Sequence, residues 1–164
     1  MAGRQAVETG LRQIDRLTAE PGPSRRQLGM LSRRRPGCAG LRAACFGVGP
    51  VTSVAIWAEL GDVRRFASSE HMVRRTGLDI TVYSSGTKRS AGHLSRQGPP
   101  LLRWALYAAA KSAAKPASPD HRYHSAARSR RTAGLATLPV ARKLARRCYH
   151  TLRGLGQEAL APAA

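Results

Sequence analysis

Two short apolar segments meet at Phe46-Gly47-Val48-Gly49-Pro50, and no other stretch constrains the fold as strongly. The upstream segment carries Cys38, Leu41, Ala44 and Cys45 at helical spacing. The downstream segment runs from Val51 to Leu60 and stops at Gly61. Pro50 stands where a first-turn proline is tolerated, and Gly61 where a C-terminal glycine is favoured. The pattern predicts two helices joined by a tight turn.

Residues of about 38–61 therefore resemble a helix–hairpin–helix. Its glycines let the backbone approach a phosphate, and free N–H groups at the start of the second helix point at it. Such a contact is independent of base sequence. A purely structural turn between two helices satisfies the same residues, and the sequence leaves both readings open.

Charge points to the partner. The 164 residues hold 28 Lys+Arg against 9 Asp+Glu, a formal charge of +19. Of the cations 24 are Arg and 4 Lys, and between Ile80 and Gln157 the single acid Asp120 faces fifteen basic residues. A surface that cannot neutralise itself attracts a polyanion, and Arg grips phosphate with two parallel hydrogen bonds. DNA is the expected partner. An anionic membrane is a weaker match, because no predicted helix sets a basic face against a large aromatic one.

Several classes drop out. A hydrophobic content of 42% supports one packed domain rather than disorder. No apolar stretch reaches the ~20 residues of a membrane span. The N-terminus shows no apolar segment of the secretory type. Cys38, Cys45 and Cys148 form no CxxC pair, which fits a reducing cytoplasm and speaks against a zinc site. His71, His93, His121, His124 and His150 make no HExxH, and His121 and His124 read as surface or phosphate-facing residues. The nine acids are not arranged as strand-borne pairs of a carboxylate metal site, so no cofactor is expected within this chain. No Walker loop, dinucleotide fingerprint or G-x-S-x-G elbow is present.

The remaining pattern predicts a mainly α fold with a short β element. Residues 1–36 read as a helical arm (Ala6, Leu11, Ile14, Leu17) broken at Pro21-Gly22-Pro23 and followed by the basic run Arg25 to Arg35. The arm is too poor in apolar residues to fold alone and is expected to pack on a partner helix or another domain. His71 to Thr76 is helical up to Gly77. Asp79 to Tyr83 reads as a strand. Thr87 to Gly98 is a polar, acid-free loop. Residues 99–114 form a helix with Leu101, Leu102, Ala105, Leu106, Ala109 and Ala113 on its apolar side. Ser118-Pro119-Asp120 reads as a helix start. The last helix spans about Leu138 to Leu152, with Arg142, Lys143, Arg146, Arg147 and Arg153 facing out. The domain proper covers 37–157, and 158–164 is a loose tail.

If the chain carries chemistry, a hydroxyl is the expected nucleophile. Ser85 ends the strand, precedes Gly86, and is followed by Lys88, Arg89, His93 and Arg96, cations suited to a pentavalent phosphate. The period of a strand sets Ser84 and Ser85 on opposite faces. Without further support, a serine beside a glycine is a turn residue.

Three blocks add to this. They are Gly47-Val48-Gly49-Pro50-Val51-Thr52 with Ala58 to Phe66 and Thr76 to Asp79; Gly92-His93-Leu94-Ser95-Arg96-Gln97-Gly98-Pro99-Pro100 through Leu106; and Val140 to Leu144 with Tyr149 to Arg153. Together, over roughly Pro36 to Ala161, they resemble the C-terminal domain of insertion-sequence transposases of the one-ten, one-sixteen and nine-oh-two family. The resemblance implies a site-specific DNA recombinase that uses a structured guide RNA and a serine nucleophile, and it carries that serine onto Ser85. It implies that helix and loop residues around that serine contact DNA and RNA, and the candidate nucleic-acid contacts of this sequence are Gly47, Gly49, Thr52, Lys88, Arg89, His93, Ser95, Arg96 and Arg103. It also implies a separate N-terminal RuvC-like domain whose four acids bind Mg²⁺, and no such segment stands in this sequence. The expectation is therefore a truncated copy, inactive alone, that pairs with itself or with a full-length transposase. The alternative is a non-catalytic nucleic-acid-binding module or a regulator of the full-length enzyme.

Overall fold

The computed structural model describes residues 21–79, 84–85, 88–89 and 94–161, and the fold is mainly α. In chain order the described helices are α1 (Pro21–Arg34), α2 (Pro36–Ala44), α3 (Pro50–Leu60), α4 (Ser69–Thr76), α5 (Pro100–Ala110), α6 (His121–Arg128) and α7 (Ala133–Leu155). Single 3-10 turns occupy Val63–Arg65, Lys111–Ala114 and Gly156–Leu160.

Helix α7 organises the rest. Its 23 residues extend about 35 Å at 1.5 Å per residue, and α2, α4, α5 and α6 all pack on it. The cause is a stripe of Val140, Ala141, Leu144, Ala145, Cys148 and Leu152, all buried, at three- and four-residue spacing. Opposite it, α5 buries Leu102, Ala105, Leu106 and Ala109, and the alanines let the two backbones come close. Helix α3 adds Ile56 and Leu60 to the same core. Burying each such leucine or isoleucine contributes about 1.5–3 kcal/mol.

Helix ends follow local chemistry. In α4, Ser68 Oγ accepts the His71 N–H, Glu70 lies in the first turn, and Arg74 and Arg75 lie in the last. These charges complement the helix dipole. Gly77 ends the helix with φ +66, a left-handed position that favours glycine.

Several expectations change. Pro21-Gly22-Pro23, read as a break in the pattern, form the first turn of α1, where prolines are tolerated because its N–H groups need no helical partner; the arm before Pro21 lies outside the described residues. Helix α1 packs on α3 of the same chain, with Ser32 Oγ and Ser53 Oγ hydrogen-bonded at 2.9 Å. Ser118 does not cap a helix. Its Oγ accepts the Asp120 N–H at 3.2 Å, which makes a turn, and α6 starts at His121. The last helix starts at Ala133 and runs through Pro139. From Glu158 the composition suggests a loose tail, yet residues 156–160 form a 3-10 turn with Ala159 buried. Trp57 Nε1 donates to Ala159 O at 2.7 Å, and Arg35 reaches Ala161 O at 3.3 Å. The strand expected at Asp79 to Tyr83 falls mostly outside the described residues. Asp79 itself lies in a bend, and a two-residue antiparallel ladder follows, β1 (Ser84–Ser85) with β2 (Lys88–Arg89).

All three cysteines are buried free thiols, and burial pushes Cys38 up to about 11. Among the described residues no helix is long and apolar enough to cross a membrane.

Candidate nucleic-acid interface

The turn between α2 and α3 separates the roles of its two glycines. Gly47 has φ +87, and a Cβ there would collide with Ser112 Oγ and stand 2.5 Å from Ala109 O. Its packing on the end of α5 therefore demands glycine. Gly49 has an extended backbone with φ −91, and a Cβ would meet only Thr52 Oγ1, at 4.0 Å. Thr52 Oγ1 accepts the Gly49 N–H at 2.9 Å and donates to Gly49 O at 3.2 Å. This pair closes the turn, while the N-terminal end of α3 presents first-turn N–H groups and the positive end of its dipole.

A second cluster forms at the base of the 79–95 segment. Gly77 and Gly98 cross so closely that a Cβ on Gly77 would stand 2.7 Å from Gly98 N, and one on Gly98 would collide with Arg75 O. Ser95 Oγ donates to Asp79 Oδ1 at 2.5 Å, and the Ser95 N–H donates to Asp79 O at 3.0 Å. The Arg96 N–H donates to Gly77 O at 3.2 Å, and Arg96 itself takes φ +51, a conformation that costs a non-glycine residue about 1–2 kcal/mol. Two arginines from different helices hold the carbonyls of this crossing. Arg103 Nη1 of α5 donates to Gly98 O at 2.7 Å, and Arg142 Nε of α7 donates to Leu78 O at 2.5 Å.

The structure thus brings Ser95, Arg96 and Arg103 together. Gly47, Gly49 and Thr52 form a separate group. Arg103 stands near the start of α5 and Ser112 just past its end, about 13 Å apart along the helix axis. Ser85 pairs across the ladder with Lys88, and Ser84 with Arg89. His93 lies outside the described residues. Sequence patterning missed Arg142, which reads as an outward residue of α7 but is half-buried. Burial pulls its pKa below the ordinary arginine value, and Asp79 opposes that shift. Arg147, also read as outward, is half-buried as well. No periodicity distinguishes such an arginine from its solvated neighbours.

Two of the described acids, Asp120 and Asp62, are held by basic side chains. Asp120 is buried and meets Lys143 Nζ at 2.8 Å and the guanidinium of Arg147. Burial alone would raise its pKa, but the hydrogen bonds from Arg147 and Lys143 outweigh burial and hold it below the usual carboxylate range. The hydrogen bond from Arg64 lowers Asp62 to about 2. No group of three or more His, Cys, Asp or Glu among the described residues is placed to hold a metal. These residues do not fit the Mg²⁺ centre of the implied RuvC-like domain. The cations, by contrast, lie open to solvent at Arg25, Arg26, Arg122, Arg128, Arg130 and Arg131.

Fold and surface define a helical, strongly basic domain in which arginines of two helices hold the Leu78 and Gly98 carbonyls. Residues 41–136 match the model of the Transposase IS116/IS110/IS902 family. That match spans more than half of the chain, and the chain belongs to this family. Membership implies a transposase-related function and, in general, an interaction with DNA. No curated protein matches the chain.

Proposed function

We propose that this chain is the DNA-binding C-terminal domain of an insertion-sequence transposase, a site-specific recombinase in which Ser85 is the nucleophile. The observation that carries the proposal is the clamp at Gly77 and Gly98. It fixes both ends of the segment bearing Ser85, Lys88, Arg89 and His93, using Arg103 from one helix and Arg142 from another. A nucleophile needs such a fixed base, because a small misplacement of the attacking atom costs orders of magnitude in rate.

In this reading Ser85 Oγ forms a bond to phosphorus as the bond to one deoxyribose oxygen breaks. The serine gives up its proton, and the departing oxygen takes one up. The strand end is then held as a phosphoserine ester, which conserves the bond for rejoining. Lys88, Arg89, His93 and Arg96 neutralise the charge that develops on the phosphate. Thr52, Gly49 and the first turn of α3 contact a neighbouring phosphate, and Gly47 shapes that turn. A structured guide RNA, an acidic Mg²⁺-binding domain and a second copy or a full-length transposase complete the assembly.

The test is to trap covalent adducts by denaturing electrophoresis with a cleavable DNA, after adding a family acidic domain, Mg²⁺ and guide RNA. A protein–DNA adduct is expected with the native chain and none with Ser85→Ala. Tight duplex binding without any adduct would leave the non-catalytic nucleic-acid-binding module instead.

A further inference from the structure

Helix α5 carries two faces. Leu102, Ala105, Leu106 and Ala109 are buried, whereas Leu101 and Trp104 are 49% and 51% exposed. Leu101 was expected on the buried stripe. Leu101, Trp104 and Tyr107 instead follow one another at three-residue spacing along the outer face, as neighbours on a helix surface do. Beside them opens a cleft of about 340 Å³. Its walls are aliphatic, from Leu78, Leu94, Pro100 and Leu138, joined by Trp104, Tyr107 and Arg103.

The position of this cleft selects its occupant. No acid lines it. Arg103 is fixed there by its hydrogen bond to Gly98 O, and Lys111 Nζ stands 5.5 Å from the Tyr107 ring centroid. A neighbouring cleft of about 350 Å³ is different. There two acids, Glu70 and Asp79, stand among three arginines, Arg74, Arg142 and Arg146, and no aromatic ring is among the described lining residues. A second copy of the chain is an unfavourable guest for the aromatic cleft, because each copy brings a formal charge of +19. A flat, uncharged ring attached to a polyanion satisfies both the aromatic and aliphatic walls and the cationic rim.

We infer that the Trp104 cleft receives an unpaired nucleobase of the bound nucleic acid, stacked on the indole. The inference rests on the DNA-binding reading above and adds a preference for substrates with an extruded or single-stranded base. In such a substrate the phosphates meet Arg103 and Lys111 at the rim, and one base leaves the duplex stack for the cleft.

The experiment compares, at one fixed salt concentration, a fully paired DNA duplex with the same duplex carrying one unpaired thymine. Fluorescence anisotropy gives both affinities. The unpaired-base duplex should bind the native chain about tenfold more tightly. The ratio should fall to about one in Trp104→Ala and be largely kept in Trp104→Phe, which retains a stacking ring. Trp104 is half-exposed, so both variants should fold, and circular dichroism checks this. Equal affinities of the native chain for the two duplexes, or a ratio that survives Trp104→Ala, would overturn the inference while leaving DNA binding intact. Failure to bind either duplex would overturn the DNA-binding reading and this inference with it. A native dimer that Trp104→Ala converts to monomer in sedimentation would assign the cleft to a second copy and overturn the nucleobase as its occupant.

Discussion

Gly77 and Gly98 lie in backbone contact, so that a Cβ on the first would stand 2.7 Å from the amide nitrogen of the second. The crossing ties the end of α4 to the start of α5. Gly98→Ala forces the new methyl against Arg75 O, which is main chain and cannot rotate away. The expected cost is about 1–3 kcal/mol, seen as a melting temperature lower by roughly 3–10 °C. An unchanged melting temperature would mean that the two segments separate freely.

The hairpin glycines should respond differently. Gly47→Ala meets both a positive φ and the Ser112 and Ala109 atoms, and should destabilise the fold by about 1–3 kcal/mol. Gly49→Ala meets open space at an ordinary φ, and should leave the melting temperature almost unchanged while weakening duplex binding. Thermal melts and DNA titrations of the two single variants check this. Full DNA affinity in Gly49→Ala would reduce the hairpin to a structural turn.

Much of this architecture was legible in the sequence, because its causes are local. The stripe on α7, the Gly77 end of α4, and Pro50 with Gly61 around α3 all depend on residues a few positions apart. The parts that were not legible depend on distant ones. Leu101 follows the same apolar spacing as Leu102, and only the placement of α7 decides which of them is covered. Arg142 looks like any outward arginine until Leu78 O arrives from α4's end of the chain. Asp120 resembles a helix-start acid, yet Lys143 and Arg147 draw it into a buried ion cluster. The candidate site was legible as a list of hydroxyls and cations. Its division into a clamp and a hairpin at opposite ends of α5 was not.

Asp120 gives a pH dependence with a definite sign. Its folded pKa lies below the unfolded carboxylate value, so its contribution is present above about pH 4. That contribution is lost as pH falls through the folded value. Asp120→Asn should cost about 1–3 kcal/mol at neutral pH, a figure tempered by the partial exposure of Lys143 and Arg147. Urea titrations across the acidic range should show a steeper loss of stability for the native chain than for the variant. Parallel curves would remove Asp120 from the stabilising cluster.

Duplex binding should depend steeply on salt. If about 6–10 phosphates are neutralised, raising salt from about 50 to 200 mM should lower affinity by roughly 10³–10⁵. Titrations at several salt concentrations give the slope. A flat response would contradict a phosphate-dominated interface.

Ser85 is the central claim, and its neighbour Ser84 supplies the sharpest control. The two are consecutive in β1 and pair with different residues of β2. Adduct trapping in the reconstituted assembly should therefore be run on the native chain, Ser84→Ala and Ser85→Ala side by side. The expected result is a covalent protein–DNA adduct with the first two and none with Ser85→Ala, whose duplex affinity stays within about twofold. An adduct that persists in Ser85→Ala and disappears in Ser84→Ala would place the nucleophile one residue earlier, and an adduct that persists in both would contradict a serine of this segment altogether.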